Sequence, residues 1–284
     1  MFLARPARPP IDRSVSVLWV CRQASESRRL ERVLPTATAQ LVINLAEDET
    51  RQYDTADPTR CARASGAVIC GPRTGHGIID TDEQSDVVGV CFTAAGLLDV
   101  IDADVSCVAG QDVALGDLWG AATTRRLREQ LLEAPTPAAR LDILEAALRT
   151  AWRARRAHAV TRYGVATLVA HPDVARIGPI AAAAGVSQRH FIERFTREVG
   201  VTPKRFARVQ RFQRAVQRAH AGRATPWGAL AADCGFADQA HLVHEFREFS
   251  GVTPTMWERL RTEHHNHVRF LQDAATTGLE GSAA

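Results

Sequence analysis

The sequence predicts an α+β fold: an antiparallel β sandwich first, a helical linker next, and an all-α domain built as a tandem repeat last. Two observations carry this reading. Through the first third, short runs rich in valine and isoleucine alternate with polar or glycine-bearing breaks, the pattern of strands in a sandwich or small barrel. Near the other end, IGPIAAAAGVSQRHFIERFTREVGVTP (177–203) is echoed by PWGALAADCGFADQAHLVHEFREFSGVTP (226–254). The 284 residues, 45% apolar and 24% charged, suffice for two ordinary domains and exclude a disordered chain or a fibre.

The β-rich region is taken as residues 1–121. Residues 1–12 read as a proline-rich, extended lead-in. SVSVLWVC, QLVINL, GAVICG, GHGIID and DVVGVCF read as strands, with EDETRQYDTADPTR and GPRTGHG as breaks between them. Over about 13–93 they suggest a cupin-like domain. Such a domain offers a cavity, and Trp19, Asn44, Arg73 and His76 are candidate lining groups for a small-molecule effector. His76 is the only histidine of the region, so no metal site is expected, and a lone histidine in a glycine turn is more often structural. The six cysteines form no C-x-x-C pair and no zinc spacing; contexts such as AVICG and GVCF read as buried, reduced thiols.

From Thr123 the apolar period becomes helical. Leu127, Leu131 and Leu132 make one stripe, EAPTPAAR interrupts it, and Pro137 opens a second helix with Leu141, Leu144, Leu148 and Trp152 on one face. This linker, 122–157, can dimerise through its stripes or pack them on the β domain. RARRAH (153–158) reads as a solvated hinge, and a helix from about Val160 to Ala170 leads into the repeat.

Each repeat describes one object. Ile180-Ala-Ala-Ala-Ala184 and Leu230-Ala-Ala-Asp-Cys234 are short helices that another helix can cross closely. Gly185 and Gly235 end them, and Ser187 and Asp238 cap the helices that follow. Phe191, Phe195 and Val199, and then Leu242 and Phe246, form the inner stripes. Short helix, glycine turn, capped amphipathic helix: this is the helix-turn-helix pattern, whose second helix projects its N-terminal outer residues. A connecting helix from Pro203 to about Gly222 turns Phe206, Val209, Phe212 and Val216 inward. Residues 171–262 hold fourteen basic and eight acidic side chains, a formal +6, whereas the rest of the chain sums to −3. A basic segment on a nearly neutral chain is the footprint of a phosphate-binding surface.

Paired helix-turn-helices joined by a long helix, with A-x-x-x-G-V-S and then A-x-x-x-G-F-x-D-Q-x-H-L-x-x-x-F-R-x-x-x-G-V-T-P, resemble the AraC/XylS transcription regulators over about 171–260. The resemblance implies a double helix-turn-helix domain over 158–262 whose two recognition helices enter successive major-groove segments of double-stranded DNA. Its register, with helical geometry, turns Gln188, Arg189, Ile192 and Glu193 outward on the first recognition helix and Gln239, Ala240, Val243 and His244 on the second. Arg189 suits a guanine and Gln239 an adenine; Glu193 can accept from a cytosine or orient Arg189. Family members usually carry arginine at the positions of Glu193 and His244, so the sequence read here is unusual. His244 exchanges a fixed charge for an imidazole, which can be neutral or protonated. Ser187, Arg194, Arg197, Lys204, Arg205, Arg208, Asp238 and Arg247 are the candidate phosphate contacts. The stretches VLPTATAQLVINL, GPRTGHGIIDT and VVGVCFTAAG are similar to an N-terminal domain found ahead of such modules, except that Ala94-Ala95-Gly96 replaces a proline-glycine-glycine turn.

The expected function is therefore a cytoplasmic, sequence-specific transcription regulator, modulated through its N-terminal domain, with RNA polymerase as a partner and a homodimer through the linker as an assembly. No cofactor is called for, and no enzyme: there is no phosphate-cradling glycine loop, G-x-S-x-G elbow or H-E-x-x-H. The competing class is a thiol alkyl-acceptor or thiol sensor fused to the same DNA reader, which would want clustered cysteines near the N-terminus. No apolar run reaches the roughly 18 residues of a membrane span. Beyond Trp257 periodicity is lost, so 263–284 is expected to be a flexible tail, its His264, His265 and His267 included.

Overall fold

The computed structural model describes residues 1–23, 30–173, 176–222 and 226–270. The N-terminal half holds β1 (Phe2–Arg5), β2 (Val15–Arg22), β3 (Leu30–Val33), β4 (Gln40–Asn44), β5 (Glu49–Tyr53), β6 (Cys61–Ser65), β7 (Ala67–Cys70), β8 (Gly77–Asp80), β9 (Asp86–Phe92) and β10 (Asp112–Ala114). Helices α1 (Leu115–Trp119), α2 (Ala121–Glu133) and α3 (Pro137–Ala151) follow. The C-terminal part comprises α4 (Ala159–Ala170), α5 (Gly178–Ala183), α6 (Gln188–Val199), α7 (Pro203–Ala221), α8 (Trp227–Asp233), α9 (Gln239–Ser250), α10 (Pro254–Leu260) and β11 (His267–Arg269). This is the expected α+β architecture, an antiparallel sheet domain followed by a helical one.

The main sheet is antiparallel, in the order β1-β2-β9-β4-β7-β10. Strand periodicity gives it two different faces. Leu18, Val20, Leu41, Ile43, Ile69, Val88 and Val90 turn to one side, where they share a core with Leu127 and Leu131 of α2 and Leu141, Leu144 and Leu148 of α3. The linker stripes are thus packed on the β domain, except for Leu132, which stays exposed. Trp19, Gln40, Val42, Val68 and Cys70 turn to the other side, toward a cavity walled by β3 and β8. Those two strands form a second sheet, in the order β11-β3-β8.

Three expectations are corrected here. The lead-in is a strand: β1 pairs with β2, and Arg5 reaches Asp142 and Glu145 of α3 at 2.9 and 2.8 Å. Residues 263–270 are no tail, since β11 pairs with β3, Val268 is fully buried and His267 bonds Glu31 at 2.9 Å. The remainder of the expected tail, 271–284, lies outside the described residues. The 153–158 stretch is exposed, as read, at every residue but Ala157, yet it is held in place: the Arg153 amide donates to Asp99 and the His158 amide donates to Glu198. β5 lies within the stretch read as a polar break and pairs with β6, which directly follows it.

The C-terminal core is aromatic. Phe191, Phe195, Phe206, Phe212, Phe246, Phe249 and Trp257 are fully or almost fully buried, and Phe212 sits between Phe246 and Phe249 at 5.0 and 5.3 Å. Gly164 lets α4 cross α6, because a Cβ there would stand 2.6 Å from the Phe191 ring. The two halves are joined along α7: Gln213 donates to the Pro35 carbonyl and Gln210 to that of Thr36, while Leu34, Ala37 and Val268 enter the helical core.

Glu145 closes the N-terminal domain. Burial opposes its charge, yet the Arg5 guanidinium, the Arg8 amide and both arginine charges hold its carboxyl below the usual 4.5. A depressed folded value gives stability that is present above the unfolded value and lost as pH falls through the folded one. Glu145→Gln should therefore lower Tm near neutral pH and flatten the acid limb of the Tm-against-pH curve below about 4.5. A limb unchanged by the substitution would assign acid unfolding to other carboxylates.

Candidate nucleic-acid interface and effector cavity

Each recognition helix is fixed at both ends by its own sequence. Ser187 accepts from the His190 amide at 3.2 Å and Asp238 from the His241 amide at 2.7 Å, so both N-termini are capped by side chains. Gly200 and Gly251 end α6 and α9 in the left-handed conformation, with φ of 87° and 72°. The copies also agree in a detail the sequence did not announce. The Gln188 side chain lies over Gly178 and the Gln239 side chain over Gly228, each glutamine spanning back to the first turn of the preceding helix.

On α6 the structure places Gln188, Arg189 and Glu193 in solvent and Ile192 half-buried; on α9, Gln239, Ala240 and His244 are exposed and Val243 half-buried. Each set shares the outer surface of its helix at the N-terminal end. Arg189 Nε donates to Glu193 at 2.8 Å, with the two side chains 89% and 55% exposed. So exposed a pair contributes little to stability, and its geometry orients the guanidinium.

The candidate phosphate contacts divide. Lys204 and Arg247 are exposed. Arg194 is half-buried against His190 and Glu198. Arg197 pairs with Asp104 at 3.5 Å, and Arg205 donates to Thr74 at 3.2 Å, so both meet the N-terminal domain. Arg208 is committed elsewhere. With Arg211 it donates to one oxygen of Glu245, at 2.8 Å each, and it also bonds Glu248. Glu245, which the sequence reading missed, is 2% exposed and further contacts His241 at 3.3 Å. Its signal was an acid set directly before Phe246 in the inner stripe.

Of the four candidate cavity residues, two line it. Trp19 and Arg73 border a cavity of about 180 Å³ between the main sheet and β3-β8. Asn44 does not: its amide donates to the Glu49 and Glu83 carbonyls and accepts from the Ala46 and Glu47 amides, closing the turn after β4. His76 does not either. Its ring lies against Gly251, 2.6 Å from where a Cβ would stand, and burial, with Arg32 beside it, lowers its pKa despite a hydrogen bond with the Phe249 backbone.

The cysteines are all unpaired, and Cys61 and Cys107 are exposed, against the expectation of buried thiols. Burial pushes the Cys70 thiol well up, with Asp112 adding to it, and raises Cys91 too, which makes both poor nucleophiles. Among the described residues no group of three or more His, Cys, Asp or Glu is placed to hold a metal, and no helix is long and apolar enough to cross a membrane.

A family model described as a helix-turn-helix domain matches residues 180–260. The chain carries an AraC-type helix-turn-helix domain. That makes it a DNA-binding transcription regulator. A second model, a domain of unknown function (DUF6597), matches residues 4–114 ahead of the AraC-type domain. A comparison with curated proteins finds no match. Among solved structures, a transcriptional regulator with an AraC-type DNA-binding domain from Chromobacterium violaceum is 23% identical, over 34% of this chain and 86% of its own, with a TM-score of 0.31. An apo variant of ToxT from Vibrio cholerae is 11% identical over 89% of this chain and 95% of its own, with a TM-score of 0.44. Wild-type ToxT with bound unsaturated fatty acid is 10% identical over 89% and 93%, also at 0.44.

The division of arginines in the AraC-type domain has a measurable consequence. Lys204→Gln with Arg247→Gln should shallow the log–log salt dependence of DNA affinity by about two, one for each phosphate left without its cation. Arg208→Gln should leave that slope unchanged and destabilise the fold by about 1–3 kcal/mol, because it removes a donor from buried Glu245. Binding at several salt concentrations and a denaturant titration measure the two effects separately.

Proposed function

We propose that the protein reads a specific duplex sequence with α6 and α9 in successive major-groove segments, and that its N-terminal domain modulates this binding. The observation that carries the reading is the pair of capped recognition helices, joined through α7, whose N-terminal outer residues stand clear of the N-terminal domain. Arg189 and Gln239 offer the forked donors and amide edges that suit guanine and adenine. In this reading Ser187 and Asp238 approach phosphate beside their capped helix ends. The regulator works in the cytoplasm, with RNA polymerase as its protein partner and α2, where Leu132 is 44% exposed, as the face of a homodimer.

Modulation is supported by where the N-terminal domain is seated. Pro72 lies against Gly200 and His76 against Gly251, so one short loop touches the C-terminal ends of both recognition helices. Movement of that loop changes the support of the two readers together.

Selection of bound duplexes from a random pool, followed by affinity measurement, tests the base readers. Arg189→Ala should cost about 1–3 kcal/mol on the selected sequence and relax one base position; an equal loss on every sequence would make Arg189 a phosphate contact. If the pool yields no preferred sequence, sequence-specific reading is refuted. For the seat, His76→Ala should shift DNA affinity by about 5–150-fold, the span of ordinary coupling energies. Unchanged affinity in a folded variant would take the seat out of regulation.

A further inference from the structure

The second helix-turn-helix carries a link that the first lacks. Its turn is one residue longer: Gly185 stands two positions before the cap Ser187, Gly235 three before the cap Asp238, and the added residue is Ala237. The shared part of the two turns closes alike, the Val186 amide donating to the Ala181 carbonyl and the Phe236 amide to that of Ala231, at 3.0 and 2.9 Å. The added residue brings one further amide. It donates to Nδ1 of His241 at 3.2 Å, across the first turn of α9.

That bond settles the state of the ring. A ring nitrogen that accepts carries no proton, so the proton of His241 sits on Nε2. Nε2 lies 3.3 Å from Oε1 of Glu245, one turn further along α9, and donates to it. The same oxygen accepts from Arg208 and Arg211 of α7 at 2.8 Å each, and Glu245 is almost fully buried. The imidazole also meets the Phe236 ring edge-on, centroids 5.5 Å apart, with the Arg211 guanidinium over that same ring. A continuous chain of contacts therefore runs from α7 through Glu245 and His241 to the amide just ahead of the Asp238 cap.

In the first copy His190 and Arg194 occupy the corresponding positions. Arg194 donates to His190 Nε2 at 3.3 Å and pairs with Glu198, and these contacts stay within α6. On α9 the difference falls where position matters. Gln239 and Ala240 follow the cap directly and are exposed on the surface assigned to base reading. Discrimination between bases depends on hydrogen-bond geometry, so the first turn of a reading helix needs support from a rigid element. The Asp238 cap accepts from the His241 amide, a bond made within that turn. The link through Glu245 is made to α7.

We propose that His241 is a positioning residue for base reading: it ties the turn before α9 to Glu245 and α7, and so fixes where Gln239 and Ala240 meet the bases. The inference rests on the reading above that α9 enters the major groove, and its first test is made without DNA. Nitrogen NMR of the full chain with labelled histidine rings, in mildly alkaline solution and assigned against His241→Asn, should show the proton on Nε2; a proton on Nδ1 would overturn the link. The second test measures binding. His241→Ala should weaken the selected duplex roughly fivefold, the equivalent of one typical hydrogen bond, with the loss confined to the base positions that Gln239→Ala also relaxes. Affinity for random duplex, and discrimination at the positions relaxed by Arg189→Ala, should stay within about twofold. His241→Asn keeps an acceptor for the Ala237 amide and loses the donor to Glu245, so it should fall between alanine and the natural chain. Equal loss on every sequence, or an asparagine variant no better than alanine, would overturn the positioning role. Should His241→Ala fail to fold, His241→Asn and the ring tautomer decide. A natural chain that selects no sequence would refute base reading, while the tautomer result would still stand.

Discussion

At Gly200 and Gly251 the chain meets two demands that only glycine satisfies together. Each residue must turn left-handed to end its recognition helix, and each must let a piece of the N-terminal domain approach where a Cβ would stand. Pro72 and Val105 occupy that space at Gly200, at 2.9 and 3.1 Å, and the His76 ring occupies it at Gly251. Both seats lie within reach of one loop, 72–76, so the placement of the N-terminal domain and the support of two helices form a single mechanical variable. The contacts along α7 from Gln210 and Gln213, with β11 laid on β3, extend this seat without touching the base-facing ends of α6 and α9.

The charge of the helical domain is spent in more than one way. A formal +6 over 171–262 counts every arginine alike, yet Arg208 and Arg211 are drawn inward by Glu245, and Arg197 and Arg205 are drawn toward Asp104 and Thr74. Lys204, Arg189 and Arg247 remain on the open surface. A phosphate that takes Arg197 or Arg205 takes it from a partner on the N-terminal domain. Exposed pairs of this kind are individually worth about 0–1 kcal/mol, so the exchange is nearly free and sensitive to salt. On the proposed reading, in which Arg197 and Arg205 meet phosphate, DNA binding and domain seating draw on shared charges.

What could be read from the sequence followed from periodicity and punctuation. The recognition helices were legible because cap, glycine and apolar stripe coincide in both copies, and the central strands because Val-Ile runs buried on a sheet leave a continuous apolar text. β5 and β6 were not legible: ETRQY buries only Thr50 and Tyr53, three positions apart, and CARAS is mostly exposed, so neither shows the period-two apolar alternation of a strand. β11 was missed for a different reason. Three residues, one of them the buried Val268, gain their structure only by pairing with β3, more than two hundred positions earlier, and no local pattern carries that. For the cavity, alternation along β2 allowed Trp19 either face; the structure fixes it through Gly89. Asn44 and His76 are polar residues in turns, and their roles depend on partners, the Glu49 and Glu83 carbonyls and Gly251, that no spacing rule connects to them.

Arg73 stands between the two seats of the 72–76 loop. Its guanidinium lines the cavity while Pro72 and His76 lie against the helix ends, so the cavity wall and the domain seat are two sides of one short segment. A ligand can bias such a segment only by as much as it binds its two positions differently. Ordinary couplings of about 1–3 kcal/mol correspond to the gain or loss of one or two hydrogen bonds, since each typical bond contributes about 0.5–1.5 kcal/mol. The place of Arg73 in the chain therefore ties the cavity wall to a loop that already carries both recognition helices.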